Sequence, residues 1–496
     1  MSVLPIRSSI VSSLALALAL AGCGRRASIA AAQAQAPPSG LPAIAAAPRS
    51  PAWSAADVER LRSRLSGPLG RSALATTGIA ILDSQGRPLF VRREKVPAVP
   101  ASTFKLLVAV AALQTLGPDF RFETRFESKG PPQNGTIDGD LYLIGDGDPS
   151  LTADQLRGGV GAIARLGTTD ITGGVVADAS VFGGREVNPA WDPDDLQYDY
   201  AAGTSALSLD EGTVELHVVP ASLGVPARID VRPPSDAVRI RGGVLTGYAT
   251  SLSIQRAAER NDFTLAGHVA VNAEQSFYRP VIDQPLYAAG VARSMFRARN
   301  ITVEAPPRTG VAPAGGTVLW KHYSAPLKAL LNHMLFESDN HYAEQLLRAL
   351  GAHEGSIGTE ASGAIVERTV FTRLGAPADG LRIVDGSGLA PSDRIAPLAL
   401  ASLLARANLF PTGDVLFHDL ARVGIEGTVR HHDVTTALGK ARAKSGHIEN
   451  VNALAGYVDT RRHGRVAFAI LVNSPYADAG GVYDGVDAAL DVLAGS

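Results

Sequence analysis

The 496-residue chain has very little cysteine and almost no net charge. Cys23 is its single cysteine, which excludes an internal disulfide and any metal cluster built on several thiolates. The formal net charge is −2, and basic residues do not form a cluster anywhere along the chain. A nucleic-acid partner would require such a cluster, so we expect no binding of nucleic acid.

The chain also has no apolar run long enough to span a bilayer, although its N-terminus resembles an export signal. Arg7 supplies a positive charge, and residues 10–21 form a short apolar stretch. The stretch ends in Leu20-Ala21-Gly22-Cys23, which resembles the lipobox of bacterial lipoproteins. Residues 1–23 are therefore predicted to be a lipoprotein signal peptide, with Cys23 lipidated and the membrane bound through that lipid.

Two points about this anchor concern its cleavage site and its membrane. The alternative to a lipoprotein signal peptide is a secretory signal peptide that is cleaved later, near Ala34 or Ala36, in which case Cys23 has no role. Gly24 lacks the acidic signal that retains lipoproteins at the inner membrane, so we expect the outer membrane if the host has one. Residues 24–52, rich in alanine, glutamine and proline, are predicted to be a flexible tether between this anchor and an exported, periplasmic body.

The chain as a whole is 46% hydrophobic. The body that follows the tether begins and ends with patterns typical of β-hairpins. Residues 78–91 predict one hairpin, and residues 454–472 predict another. Residues 466–472 are apolar without alternation, as in a strand covered by helices on both faces. We expect strands from both ends of the chain to share one sheet.

Residues 128–315 have a different texture, with short β-like runs separated by glycine and proline. This predicts a large, mainly β inserted region, composed of two small β-rich domains. Residues 53–127 and 316–496 would then form one α/β domain around it.

The first candidate for chemistry is Ser102-Thr103-Phe104-Lys105, which opens a nearly all-apolar helical run at residues 106–116. A spacing of three places the hydroxyl and the amine on one helical face, where a neutral amine can take the hydroxyl proton. Only seven of the 46 basic residues are lysine, and none of the other six has serine three residues before it. Because arginine cannot act as a base, a lysine here suggests titration, although a helix cap followed by a surface lysine would have the same pattern.

Two further short motifs follow. Ser338-Asp339-Asn340 lies between two helical patterns, where a serine could simply cap the second helix. Lys444-Ser445-Gly446 precedes the strand-like residues 451–458 and could equally be a loop.

Together and in this order, the three motifs resemble those of penicillin-binding proteins and serine β-lactamases. The long separation of the first two motifs is similar to the D-alanyl-D-alanine carboxypeptidase/endopeptidase family, the class C low-molecular-mass penicillin-binding proteins. Further segments that match this family are 140–152, 191–210, 385–389 and 424–428. The resemblance implies a penicillin-binding-protein/serine β-lactamase-like fold, with an antiparallel sheet flanked by helices. It also implies a serine DD-peptidase that acts on peptidoglycan peptides and is inhibited covalently by β-lactams.

The resemblance also implies a role for each motif residue. Ser102 would be the nucleophile, Lys105 its base, and Ser338 a proton relay to the leaving amine. Asn340 would hold Lys105 and the substrate amide, and Lys444 would supply positive charge near Ser338 and the substrate carboxylate. The remaining substrate-binding and oxyanion residues would be Ser445, Gly446 and His447.

His447 departs from the family pattern, in which a hydroxyl residue usually follows the glycine and helps to bind the terminal carboxylate. Its backbone N–H could still form an oxyanion hole with that of Ser102. The balance of carboxypeptidase and endopeptidase activity is therefore left open. A serine β-lactamase and a catalytically silent peptidoglycan-binding lipoprotein are the alternative functions.

No cofactor or metal is expected. Adjacent histidines in His431-His432-Asp433 point apart on any regular element, and Asp192, Asp194 and Asp195 lack the spacing of a calcium loop. Both clusters are predicted to be loops. His341, beside Asn340, is expected to pack locally.

Overall fold

The computed structural model describes residues 51–474 and 479–496, apart from the side chains of Ser72 and Ala479. The predicted signal peptide, Cys23 and nearly all of the predicted tether lie outside the described residues. Within the described ranges, no helix has both the length and the apolar character that crossing a membrane requires.

The elements are numbered in chain order. The helices are α1 (Ala55–Leu69), α2 (Lys105–Thr115), α3 (Ala153–Arg165), α4 (Gln284–Arg297), α5 (Leu327–Glu337), α6 (Asn340–His353), α7 (Glu360–Arg373), α8 (Pro397–Ala407), α9 (Pro411–Asp419) and α10 (Ala479–Ala494). The strands are β1 (Gly78–Leu82), β2 (Pro88–Arg92), β3 (Glu123–Ser128), β4 (Thr136–Ile137), β5 (Leu141–Gly145), β6 (Asp170–Ile171), β7 (Val175–Asp178), β8 (Thr213–Val219), β9 (Arg228–Arg232), β10 (Arg239–Gly247), β11 (Ser251–Arg256), β12 (Asp262–Ala270), β13 (Gln275–Pro280), β14 (Thr302–Val303), β15 (Arg308–Thr309), β16 (Thr317–Tyr323), β17 (Ala421–Arg422), β18 (Ala441–Ile448), β19 (Val451–Asp459) and β20 (Arg465–Asn473).

The main sheet joins the two ends of the chain. Its order is β17-β18-β19-β20-β1-β2, and every neighbouring pair is antiparallel. Strand β1 pairs with β20 so that Ala80 lies opposite Ala469. The prediction that both terminal hairpins share one sheet is confirmed.

Helices cover both faces of this sheet, as the unbroken apolar run in β20 predicts. On one face, Phe468 and Ile470 pack with Leu65 of α1 and Leu490 of α10. On the other face, the Tyr457 hydroxyl donates to the Leu404 carbonyl oxygen of α8 at 2.9 Å. Each fully buried side chain of this size stabilises the fold by about 1.5–3 kcal/mol, so the two-sided burial of β20 anchors the core.

Helix α2 lies inside the helical layer, which explains why its sequence is apolar on all sides. Residues 105–113 are all buried, and the helix packs against α5, α6 and α7. The predicted helix at 106–116 agrees with α2 to within one residue at each end. Because α2 is held on every side, the residues at its start have little freedom to move.

The intervening residues form four smaller sheets with helices α3 and α4. The largest has the order β15-β7-β5-β3-β16, and its strands β3 and β16 lie beyond the predicted boundaries at residues 128 and 315. The other three sheets have three strands each. The division into domains stays a prediction, and the strand pairing favours junctions a few residues further out at each end.

Candidate active site

The candidate nucleophile lies in a strained turn. Ser102 belongs to a 3-10 turn, Ala101–Phe104, directly before α2, so Lys105 is the first residue of the α-helix itself. Ala101 has a φ of +46°, a left-handed conformation that costs an L-residue about 1 kcal/mol or more. The turn replaces the expected first turn of the helix and presents the Ser102 side chain at a half-buried position.

Three oxygen atoms surround the Lys105 amine. Its Nζ lies 3.0 Å from Ser102 Oγ, 2.6 Å from Asn340 Oδ1 and 2.9 Å from the Ser387 carbonyl oxygen. A neutral amine has two N–H donors and one lone pair. Since the amide and carbonyl oxygens can only accept, they take the two N–H groups, and the lone pair is left for the Ser102 hydroxyl proton.

Burial favours this neutral amine. Lys105 is fully buried, and loss of hydration lowers the pKa of its amine to about 8. The carboxylates of Asp385, Asp339 and Glu344 oppose this shift. Near neutral pH a useful fraction of the amine is therefore unprotonated, as a general base requires.

The second motif joins two helices at a left-handed residue. Ser338 ends α5 with a φ of +64°, and Asp339 caps α6 by accepting the Tyr342 backbone N–H at 3.0 Å. The alternative in which Ser338 merely caps the second helix is wrong, because Asp339 is that cap. Asn340 then directs Oδ1 to Lys105 and donates from Nδ2 to the Tyr200 carbonyl oxygen at 2.8 Å.

The third motif lies within strand β18, rather than in a loop before a strand. Lys444 is fully buried, and burial lowers the pKa of its amine well below the usual range. Its Nζ donates to the Ser445 carbonyl oxygen at 2.8 Å, and the Ser445 hydroxyl donates to Thr428 Oγ1 at 2.8 Å. A lysine amine and hydroxyl groups are the kinds of donor that bind a carboxylate.

Gly446 allows β18 to lie directly against the Ser102 turn. A Cβ atom at this position would lie 2.8 Å from the Pro100 carbonyl oxygen, 2.9 Å from Ser102 N and 3.0 Å from Thr103 N. These are backbone atoms, which cannot rotate away. Glycine is therefore the residue that permits the strand and the turn to approach so closely.

Gly446→Ala is expected to lower the rate of acylation by labelled penicillin by about 100-fold or more, the effect of losing one oxyanion donor. The added methyl group would push the strand away from the Ser102 turn. The matched control is Gly130→Ala, because a Cβ atom there has no neighbour within 4 Å. Acylation of Gly446→Ala at the wild-type rate would contradict the close approach of β18 to the Ser102 turn.

One cavity collects the remaining motif residues. Ser102, Ser338, Ser445, Gly446 and His447 all line a cavity of about 290 Å³. His447 is exposed at its edge, and its Nδ1 lies 2.9 Å from Asn452 Oδ1. The structure thus brings Ser102, Ser338, Ser445, Gly446 and His447 together around this cavity, with Asn340 at the Lys105 amine. Lys444 is fully buried next to Ser445 in β18 and is not among the residues that line the cavity.

The third partner of Lys105 comes from a turn whose residues have no role predicted from the sequence. The Ser387 carbonyl oxygen lies in the segment 385–389. Glu344 Oε1 accepts the backbone N–H groups of Gly386 at 3.0 Å and Ser387 at 2.8 Å, while Asp385 Oδ1 accepts that of Gly388 at 2.7 Å. Glu344 lies one helical turn after Asn340 on α6, and this spacing is the sequence signal that could have identified it.

The region between the first two motifs contributes to this turn through Trp191. Its indole nitrogen donates to Asp385 Oδ2 at 2.9 Å, within the buried layer behind the site. The same oxygen accepts the Ala390 backbone N–H at 2.7 Å. Trp191 therefore helps to hold the carbonyl group that Lys105 contacts.

Trp191→Phe removes this donor and keeps an aromatic ring, so it is expected to lower the free energy of unfolding by about 2 kcal/mol and slow acylation several-fold. Urea unfolding and the rate of labelled-penicillin binding measure the two effects. Trp53→Phe is the matched control, because the Trp53 indole nitrogen has no hydrogen-bond partner among the described residues. Equal changes in the free energy of unfolding and in the acylation rate for the two variants would contradict this role of the Trp191 hydrogen bond.

The other polar clusters have local partners. The imidazole Nδ1 of His341 lies 3.1 Å from the Gly203 carbonyl oxygen, in agreement with local packing. Asp192 accepts the Asp194 backbone N–H at 2.9 Å, and Asp195 accepts the Tyr200 hydroxyl at 2.6 Å.

One trio in the described ranges has the ligand types that a metal ion would require: Glu211, His333 and Asp339. The imidazole Nε2 of His333 lies 3.5 Å from Glu211 Oε1 and 3.4 Å from Asp339 Oδ2. Hydrogen bonds that the imidazole donates to the carboxylates of Asp339 and Glu211 raise the pKa of His333 to about 10. A protonated imidazole between two acids accounts for the cluster without a metal ion.

The fold, with a serine and a buried lysine amine in contact at its centre, defines a serine peptidase of the penicillin-binding class. The chain belongs to the D-Ala-D-Ala carboxypeptidase 3 (S13) family, whose model matches residues 61–493. It is 30% identical over 443 residues to the D-alanyl-D-alanine carboxypeptidase of Actinomadura sp., covering 85% of this chain and 82% of that protein. It is 27% identical over 388 residues to D-alanyl-D-alanine carboxypeptidase DacB of Haemophilus influenzae, covering 75% of this chain and 80% of that protein.

A solved structure shows the same fold. Penicillin binding protein 4 from Haemophilus influenzae superposes with a TM-score of 0.73 at 24% identity, over 88% of this chain and 98% of that chain. The predicted family, fold class and serine DD-peptidase activity are confirmed by these matches.

Proposed function

We propose that this DD-peptidase cleaves D-alanyl-D-alanine peptides of peptidoglycan through an acyl-enzyme on Ser102. The observation that carries the proposal is the contact of the Ser102 hydroxyl with an amine whose two N–H groups are already used by Asn340 and Ser387. The lone pair takes the hydroxyl proton while Oγ attacks the carbonyl carbon between the two D-alanines.

The tetrahedral intermediate carries its negative charge beside backbone donors. The N–H groups of Ser102 and His447 form the proposed oxyanion hole, and the close approach at Gly446 supports this placement. Ser338, on the same cavity, relays the proton from Lys105 to the leaving amine, so that the C–N bond breaks and an ester remains. Water then attacks the ester, releases the shortened peptide and restores the Ser102 hydroxyl.

In this proposal the orientation of the substrate follows from the polar groups around Ser102. Lys444, Ser445 and Thr428 offer an amine and two hydroxyl groups to the carboxylate of the leaving alanine. That carboxylate favours the charged form of Lys444, which burial otherwise disfavours. Asn340, held by Tyr200, meets the amide of the acyl half of the substrate.

Labelled penicillin tests this proposal, because a β-lactam places a reactive amide at the same serine. A related protein, penicillin binding protein 4 of Haemophilus influenzae, has been solved in complex with a β-lactam. We expect a stable adduct, located at Ser102 by peptide mass spectrometry, and release of D-alanine from a pentapeptide substrate. Rapid hydrolysis of the label would favour a β-lactamase, and the absence of any adduct would favour a silent peptidoglycan-binding lipoprotein.

We further propose that the protein is exported to the periplasm and anchored by a lipid on Cys23. The support is the sequence pattern ending at Cys23, followed by a polar, proline-containing tether. Peptidoglycan is a fixed network, and a tethered enzyme can search the part of it within reach.

Cys23→Ser is expected to move most of the protein from the membrane fraction to the soluble periplasmic fraction, because lipid chains supply the membrane affinity. Cell fractionation followed by immunoblotting measures the distribution. Ser39→Ala, a change within the same tether, is the control. Membrane retention of Cys23→Ser would contradict the anchor.

A further inference from the structure

A half-buried histidine lies beside the second motif. His333, on helix α5, places its imidazole Nε2 3.4 Å from Asp339 Oδ2 and 3.5 Å from Glu211 Oε1. Its ring also packs against the ring of Tyr342 in the first turn of α6, with the centroids 4.5 Å apart. His333 is not among the residues that line the Ser102 cavity, and the steps proposed above give it no role.

The backbone on both sides of this cluster is strained. Glu211 has a φ of +58°, and Ser338, directly before Asp339, has a φ of +64°. Residues other than glycine rarely adopt this left-handed conformation, which persists where surrounding contacts hold it and which recurs at functional sites. The contacts of His333 with both carboxylates tie these two strained segments together.

Asp339 connects the histidine to the amine of the proposed base. It directly precedes Asn340, whose Oδ1 lies 2.6 Å from Lys105 Nζ. The Asp339 side chain is only 12% exposed, so little water screens its charge. Its negative charge favours the protonated form of Lys105, whereas the proposed mechanism requires the neutral amine. The carboxylate that caps α6 therefore opposes the base beside it.

Other acidic groups around Lys105 do not offset this effect. Asp385 and Glu344 also favour the protonated amine. Glu367 of α7 is buried, and desolvation raises the pKa of its carboxyl group well above the usual range, so it stays uncharged. Helix α9 meets α2 at the other end of that helix, where Gln114 donates to Thr412. A cation near Lys105 would therefore make its amine less likely to hold a proton.

His333 is well suited to be this cation. Lys444 of β18 also faces Lys105, but burial disfavours its charged form. His341 is buried, and burial lowers the pKa of its imidazole, so it is neutral. In contrast, the hydrogen bonds to Asp339 and Glu211 keep His333 protonated at neutral pH, since they raise its pKa to about 10.

The histidine and Asp339 form a pair without net charge. Burial alone would raise the pKa of Asp339, but the hydrogen bond from His333 helps to lower it, so the carboxylate is ionised. Because the two opposite charges lie side by side, each cancels much of the field that the other exerts on Lys105.

We infer that His333 is a positioning residue of the active site, whose imidazolium neutralises Asp339 and so keeps the Lys105 amine available as the base at neutral pH. The inference depends on the proposed function, in which that amine takes the proton of Ser102. The histidine keeps its own proton throughout and adds no covalent step. Glu211 holds the ring from its other side, so the region between the first two motifs also contributes to the base.

Three variants change the charges of this pair. His333→Gln removes the cation, Asp339→Asn removes the anion and can still cap α6, and the double variant removes both charges. The matched control is His353→Gln, because His353 is exposed at the other end of α6, about 20 Å from Asn340. The second-order rate of labelled-penicillin binding to each full-length variant is measured between pH 6 and pH 9.

The rate for His333→Gln is expected to be about three- to tenfold below that of the wild type at pH 7 and within about twofold of it at pH 9. The reason is that an uncompensated Asp339 moves the titration of Lys105 upward by about half to one pH unit. Asp339→Asn should act in the opposite direction, with a rate about three- to fivefold above the wild type at pH 7. The double variant and His353→Gln should both have the wild-type profile.

A loss in His333→Gln that is the same at every pH would indicate a purely structural role and overturn the inference. A double variant that keeps the profile of His333→Gln would overturn it as well. If His333→Gln does not fold, the double variant is compared with Asp339→Asn, since these two also differ only at His333, and equal rates at pH 7 would then overturn the inference. A failure of the proposed function would appear separately, in the wild type, as a missing adduct or a rate that does not change with pH.

Discussion

Ser102→Ala is expected to abolish the covalent penicillin adduct and to lower the rate of D-alanine release by about 10⁴-fold or more. The hydroxyl oxygen of Ser102 is the atom that forms the ester in the proposed steps, and no neighbouring group can replace it there. Intact-protein mass spectrometry measures the adduct, and chiral amino-acid analysis measures the released D-alanine.

The control for this variant is Ser356→Ala, which changes an exposed serine outside the motifs. It should acylate and hydrolyse like the wild type. An adduct that persists in Ser102→Ala, together with continued processing of wall peptides, would show that the nucleophile is a different residue.

Lys105→Arg is expected to lower acylation by about 10³-fold, although it preserves the positive charge. A guanidinium group cannot lose its proton near neutral pH, so it cannot take the proton of Ser102. The measurement is the second-order rate of labelled-penicillin binding. Lys129→Arg, at a lysine whose side chain is 82% exposed, is the matched control.

The same lysine is expected to set the pH dependence of acylation in the wild type. In the proposed mechanism the active form is the neutral amine, and burial lowers the pKa of this amine to about 8. The acylation rate should therefore rise about tenfold per pH unit below this pKa and level off above it. A rate that is constant between pH 6 and pH 9, or an arginine variant with the wild-type profile, would contradict the role of Lys105 as base.

Much of the fold could be predicted because its signals are local. The unbroken apolar run of β20 indicated helices on both faces, and the all-apolar run of α2 indicated a buried helix. The loop alternative for the motif at 444–446 is wrong, since these residues lie in β18. Alanine, serine and glycine have little strand preference, and β18 is specified by its pairing with β19. Pairing between distant segments likewise places β3 and β16 in the same sheet as β5 and β7.

The residue types of the candidate site and their order could be predicted from the sequence, but the groups that hold these residues in place could not. Ser102, Lys105 and Asn340 belong to motifs whose spacing can be read along the chain. The Ser387 carbonyl group is a backbone atom that any residue possesses, so no residue type indicates its role. Asp385 and Trp191 are 194 positions apart, and only folding shows that they form a hydrogen bond.

By itself, the sequence determined the family, the spacing of the serine and lysine motifs and the strands that close the main sheet, because these depend on residue identity and short spacing. The tertiary structure decided which atoms share the lysine amine, how closely β18 approaches the serine, and that Glu211 lies beside His333. These features depend on distances between segments far apart in the chain, and on the burial that shifts the pKa of Lys105. Both arise only when the chain packs.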